Sequence, residues 1–170
     1  MSNLPAIANK PGAVETAAFG ATAGSDFVTM TVADQLFGIP VLTVQDVLGP
    51  QRITRVPMAP PEVAGALNLR GRIVTAIDVR RRLGLPKREG NAAGMNVVVD
   101  FKGELYALMV DNVGEVLSLS ADSYERNPAT LDPRWRDVSA GIYRLKGKLL
   151  VVLEVARLLD LKVKRGAEAA

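Results

Sequence analysis

The chain repeats itself, and this limits its fold more than any single segment does. ALNLRGRIVTAIDVRRRLGL (66–85) aligns without gaps on IYRLKGKLLVVLEVARLLDL (142–161). Leu69/Leu145, Gly71/Gly147, Val79/Val155, Arg81/Arg157, Leu83/Leu159 and Leu85/Leu161 are identical, and Asp78 faces Glu154. Earlier in each copy, DQLFGIPVLTVQDVL (34–48) aligns on GELYALMVDNVGEVL (103–117), with Leu36/Leu105, Val41/Val110, Val44/Val113, Val47/Val116 and Leu48/Leu117 identical and Asp46 opposite Glu115. Two matches in the same order point to a duplicated unit.

Each unit is built of short apolar runs closely punctuated by turn residues. At 27–32 Val28, Met30 and Val32 alternate with Thr29 and Thr31, the pattern of a half-buried strand. Further apolar runs lie at 36–42, where Pro40 marks an edge or an end, and at 52–56. Pro57, Pro60 and Pro61 force a turn. Runs 64–69 and 72–77 flank Arg70-Gly71, a tight hairpin in which glycine accepts a positive φ. Asp78 is placed to cap a short helix over 79–83, ended by Gly84 and Pro86. After a polar linker at 87–94 the pattern returns. Strands are expected at 95–101 and 104–110 around Lys102-Gly103, at 113–117, and at 138–145 and 148–153 around Lys146-Gly147. A last short helix is expected over 155–160.

Strands this short, with this many turns, suit small barrels that leave few open edges. Leu149-Leu150-Val151-Val152-Leu153 and Val97-Val98-Val99 are apolar on both faces, whereas a strand with one face in water should alternate. One barrel therefore packs its outside against the other. The expected fold is all-β: two five-stranded barrels packed together, with short helical turns. Their expected boundaries are about 25–86 and about 93–161. Residues 1–24, rich in Ala, Gly, Thr, Asn and Pro without apolar period, are expected to be a disordered tail, and 162–170 a flexible end.

Composition narrows the function. Of 170 residues 48% are apolar, enough for a substantial core, yet no apolar run reaches the roughly 20 residues that a membrane-spanning helix needs. No secretory leader is legible in MSNLPAIANKPG. There is no cysteine and no histidine, which removes disulfides, thiolate metal sites and Ser-His or Cys-His nucleophiles. A net charge of +3 is weak support for nucleic-acid binding.

Four groups of residues are candidates for chemistry. Asp46, in the segment Val44-Gln45-Asp46-Val47-Leu48 read as a turn, and Arg70 at a hairpin tip form a charged recognition spot, Arg offering five fixed donors. The repeat places Glu115 and Lys146 at the matching positions, so the pair is expected to orient hairpin against turn. The plainer reading is an exposed ion pair contributing about 0–1 kcal/mol. Arg80-Arg81-Arg82 are a basic run with no aromatic near them in sequence, better read as a solvated helix face than as a nucleic-acid patch. Asp78 and Glu154 open equivalent helices, and capping accounts for both. Trp135, in the loop 127–136, is either an exposed hot spot or part of the core.

The residues then carry a resemblance. FVTMTVADQLFGIPVLTVQDVLG, opening at 27, resembles the start of the CheW-like family. ITRVPMAPPEVAGALNLRGRIVTAIDVRRRLGL (53–85) is closer still, with its threonine-arginine strand, proline turn, Asn68-Leu69-Arg70-Gly71 hairpin and Ile77-Asp78-Val79-Arg80. GIYRLKGKLLVVLEVARLL (141–159) looks like the family's closing segment. The resemblance implies two SH3-like subdomains. It also implies a cytoplasmic adaptor, without catalysis, cofactor or metal, that couples transmembrane chemoreceptors to a histidine autokinase at membrane-associated receptor arrays. A groove between the subdomains would receive the receptors' helical tip, and subdomain ends would meet the kinase's regulatory domain. The implied partner-binding residues are Asp46, one methylene shorter than the family's usual glutamate, and Arg70 with its Asn68 and Gly71. Val44, Val47 and Val113 are assigned to the groove because the repeat's short turns face one interface. No nucleic acid and no direct membrane insertion are expected. The alternatives are the same module in a signalling array outside chemotaxis, or a nucleic-acid-binding double barrel.

Overall fold

The computed structural model describes residues 26–87 and 94–161, so the expected tail at 1–24 and end at 162–170 lie outside the described residues. The strands are β1 Asp26–Val32, β2 Gln35–Pro40, β3 Val44–Leu48, β4 Val63–Leu69, β5 Arg72–Asp78, β6 Met95–Phe101, β7 Glu104–Val110, β8 Asn112–Ser118, β9 Tyr124–Glu125, β10 Ser139–Leu145 and β11 Lys148–Leu153. Among the described residues there are also three one-turn α-helices: α1 Val79–Arg82, α2 Pro133–Arg136 and, after the last strand, α3 Val155–Leu158.

The strands form two sheets, β8-β1-β2-β11-β10-β9 and β3-β6-β7-β5-β4. The sheets do not follow the sequence halves 25–86 and 93–161. The β1–β2 hairpin of the first repeat completes the sheet of the second, and β6–β7 of the second completes that of the first. Val41–Thr43, a single 3-10 turn, carries the chain from β2 in one sheet to β3 in the other. Asp111 alone makes the matching crossing from β7 to β8. Connections this short leave the hairpin no room to fold back on its own half.

The duplicated residues set the register, which is the same in both sheets. Phe37 pairs Val151 in the parallel β2–β11 contact, and the repeat partners Tyr106 and Thr75 pair in β7–β5. Val44 pairs Val99 and Val47 pairs Val97, as Val113 pairs Met30 and Val116 pairs Val28, with a bulge at the same place. The segment 44–48, expected as a turn, is therefore strand β3. The run 52–56, expected as a strand, supplies one bridge, Thr54 to Ala66, and its counterpart is Glu125 of β9 opposite Ile142.

Apolar side chains on both faces of a strand need a core on each side, and the described residues form three. Val28, Met30, Phe37, Val97, Val99, Leu108, Val151 and Leu153 belong to the core shared by the two sheets. Leu67, Val74, Ala76, Val98, Leu105 and Ala107 fill the barrel of the β3 sheet. Phe27, Tyr143, Leu150 and Val152 fill the other, with the Phe27 and Tyr143 rings 5.4 Å apart. The all-β double-barrel expectation holds. Strand β1 is buried on both faces rather than one: Thr29 is 4% exposed, and its hydroxyl donates to the Glu115 carbonyl at 2.7 Å.

Gly65 and Gly141 sit at matching bulges where each barrel's edge is covered. At Gly65, φ is +152°, and a Cβ would run into the Thr54 carbonyl. At Gly141 it would meet the Tyr124 ring, whose hydroxyl donates to the Ala140 carbonyl. Gly65→Ala is expected to lose the Thr54 bridge and about 2 kcal/mol or more, since the clash is with backbone and the φ disfavours an L side chain. Urea denaturation measures this, and an unchanged midpoint would show that the edge segment moves aside freely.

Candidate partner-binding surface

Arg70 and Gly71 occupy the tip of the β4–β5 hairpin, both with positive φ (50° and 86°) as a tight two-residue turn of strand-matching twist demands. Asn68 braces the turn: its Oδ1 accepts from the Gly71 N–H at 2.9 Å. From this tip Arg70 Nη2 reaches Asp46 Oδ2 on β3 at 3.0 Å. Asp46 Oδ1 also accepts from the Val47 N–H at 2.8 Å, which fixes the carboxylate. β3 and β4 are the two ends of their sheet's strand order, so the ion pair ties one edge of the barrel to the other. Arg70's side chain is 74% exposed and Asp46's 28%, leaving most of the guanidinium's donors facing water.

The repeat does not reproduce this pair. Among the described residues no ion pair joins Glu115 to Lys146. In the β10–β11 turn only Gly147 has positive φ, so Lys146 leaves the turn in a different direction from Arg70. On that barrel Arg144 Nε instead bonds both Glu125 oxygens, at 3.0 and 3.1 Å.

Val44, Val47 and Val113 face the side of the core shared by the sheets, since each lies opposite one of its members: Val99, Val97 and Met30. Val44 and Val113 are half-buried against that core, and Val47 is 38% exposed. Two more exposed apolar residues escaped the sequence reading. Val116, 54% exposed, is Val47's repeat partner, and the alignment alone could have nominated it. Leu42, 77% exposed, lies in the 3-10 turn beside β3, and its sequence carries no signal of exposure.

The arginine run divides its work. Arg80 Nε and Nη2 hold both oxygens of Asp111 at 3.0 and 2.7 Å, and its Nη1 donates to the Pro86 carbonyl. The bonds to Asp111 raise the Arg80 pKa further, against the opposing effect of burial. Arg82 donates to the Leu158 and Arg157 carbonyls at the end of α3. Two of the three side chains are thus spent inside the protein, which corrects the solvated-face reading and, among the described residues, leaves Arg81 as the free cation of the run. Asp78 caps α1, accepting from the Arg81 N–H at 3.2 Å. Glu154, expected to cap α3, does not; its side chain lies 3.4 Å from Arg157. Trp135 packs edge-on against Phe37 at 5.6 Å and belongs to the core rather than to a surface hot spot. Among the described residues, no helix is long and apolar enough to cross a membrane.

Two barrels that exchange hairpins, with a braced charged tip tied to a strand that carries exposed apolar side chains, define a protein-interaction module. Residues 26–163 match the CheW-like domain model, and the chain belongs to that family. It is 29% identical over 141 residues to a chemotaxis protein CheW of Klebsiella aerogenes, covering 83% of this chain and 85% of that protein. To a chemotaxis protein CheW of Rhizobium meliloti it is 26% identical over 132 residues, covering 78% and 85%. The crystal structure of the scaffolding protein TtCheW from Thermoanaerobacter tengcongensis superposes with a TM-score of 0.72 at 28% identity, covering 81% of this chain and 93% of that one.

Proposed function

We infer that this protein is a non-catalytic chemotaxis scaffold that couples the helical tips of chemoreceptors to the regulatory domain of a histidine autokinase. It works in the cytoplasm and is drawn to receptor arrays at the membrane. The observation that carries this reading is the Arg70 guanidinium, mostly exposed yet held by Asp46 of β3, the strand that also carries Val44 and Val47, both open in part to solvent. A receptor helix would offer apolar anchors at i, i+3 and i+4 to Val44, Val47 and Val113, and Arg70 with Asn68 and Gly71 would set the charge at the rim.

Val47→Asp is the cleanest probe, because Val47 is the most exposed of the three valines and its loss opens no cavity. It is expected to weaken binding of a helical receptor-tip fragment by about tenfold or more, as a desolvated charge enters an apolar contact. Its thermal midpoint should stay near that of the parent. Val44→Asp and Val113→Asp should weaken binding too, with some loss of stability. Full receptor binding by all three folded variants would reject the groove.

A further inference from the structure

On another part of the same barrel an open cavity of about 580 Å³ lies between the proline loop and the start of α1. Val44, Val47, Val113, Asp46 and Arg70 do not line it. Its rim carries Arg55, Arg81 and Lys87, all exposed. Among the described residues, none of these three side chains has an ion-pair or hydrogen-bond partner. The carboxylate present, Asp78, is already engaged by the backbone of α1. Three cations against one carboxylate leave the lining with net positive charge.

The loop beside it holds apolar groups outward. Met58 is 97% exposed at a φ of +65°, a conformation costly for an L side chain, and Val56 is 45% exposed. Pro57, Pro60 and Pro61 restrict the loop, so this presentation is built in rather than sampled. Guanidinium groups take carboxylates in two-pronged contacts, and an unbranched thioether adapts to varied apolar side chains. No aromatic side chain lines the cavity to stack on a base, which disfavours a nucleic-acid strand.

We propose that this cavity is a second docking site, taking an acidic peptide segment of a protein partner that carries an apolar anchor. Carboxylates of the segment pair with Arg55, Arg81 and Lys87, and its apolar residue packs on Met58 and Val56.

The test uses the full chain and a fluorescein-labelled peptide of alternating Glu and Leu, read by fluorescence polarisation, beside the same peptide with Gln for Glu. The acidic peptide is expected to bind and the Gln peptide not. Arg81→Glu, and Arg55→Glu combined with Lys87→Glu, should each weaken binding about tenfold or more, because like charges across a contact repel. Met58→Ser should weaken it without altering its salt dependence, and Arg70→Ala should leave it unchanged. All these side chains are exposed, and circular dichroism confirms that each variant is folded. Equal binding of both peptides, no binding of either, or indifference to the charge reversals would overturn the proposal. Tighter binding of a single-stranded oligonucleotide, lost in the same reversals, would make the cavity a nucleic-acid site and overturn it as well.

Discussion

Asp111→Ala is expected to destabilise the protein by about 3 kcal/mol, the low end of what breaking a buried ion pair costs, because the pair with Arg80 is largely but not fully shielded from water. Asp111 is the one residue between β7 and β8, where the chain passes from one sheet to the other. Its carboxylate binds Arg80 through both oxygens, and Oδ2 also accepts from the Ala33 N–H at 2.8 Å in the β1–β2 turn. Its own N–H donates to the Thr31 carbonyl. One side chain thus fastens the crossing to α1 and to the hairpin donated by the other repeat. Both side chains of the pair are only 17% exposed, so removing one leaves a guanidinium that water cannot fully solvate. For a domain of this size the loss corresponds to a melting temperature lower by roughly 6–12 °C. Arg80→Ala should cost a similar amount, and the double variant less than the sum, because the two act as one unit. Glu125→Ala, which breaks an exposed pair with Arg144, is the control and should change stability by about 1 kcal/mol or less. A midpoint for Asp111→Ala within the range of that control would show that the crossing is held by packing alone.

Arg70→Ala should do the opposite: little to folding and much to binding. The pair with Asp46 is 3.0 Å long but largely exposed on the arginine side, so its contribution to stability is at most about 1 kcal/mol. Against a partner that covers the hairpin tip the pair loses water, and truncating one member costs about 2–5 kcal/mol. Assembly with a receptor tip or a kinase regulatory domain, followed by titration calorimetry, should therefore weaken at least thirtyfold or so while the melting curve barely moves. Reversing both charges should restore the ion pair without necessarily restoring binding, because the partner reads the sign of the exposed group. A large melting loss in Arg70→Ala, with binding by the remaining folded fraction intact, would make the pair a structural tie and nothing more.

Much of the candidate surface was legible residue by residue. The Asn68-Leu69-Arg70-Gly71 string specifies its own turn: glycine admits the left-handed conformation, and asparagine supplies the acceptor that closes it. The pairing of Asp46 with Arg70 followed from acidic and basic residues recurring at matching places. The same reasoning misplaced Glu115 with Lys146, because charge type says nothing about the direction in which a turn aims a side chain. The fate of Arg80 and Arg82 was not readable either, since their partners, Asp111 and the carbonyls of α3, are distant in sequence. Gly65 and Gly141 lay one residue before the aligned block, and extending the alignment by that residue would have marked them.

By itself the sequence determined what is local and periodic. Short strands, tight glycine turns, the cap at Asp78 and the need for cores on both faces of β6 and β11 all follow from neighbouring residues and from apolar groups that water disfavours. It also determined that two equivalent units exist, and their identical residues carry identical registers. The tertiary structure alone decided which hairpin pairs with which sheet. The unpaired sides that β2, β11, β7 and β5 present before the sheets close are chemically able to pair within either half. What selects the exchange is geometry: a three-residue turn after β2 and a single residue after β7 are too short for a return to the same sheet, so each repeat closes the other's barrel.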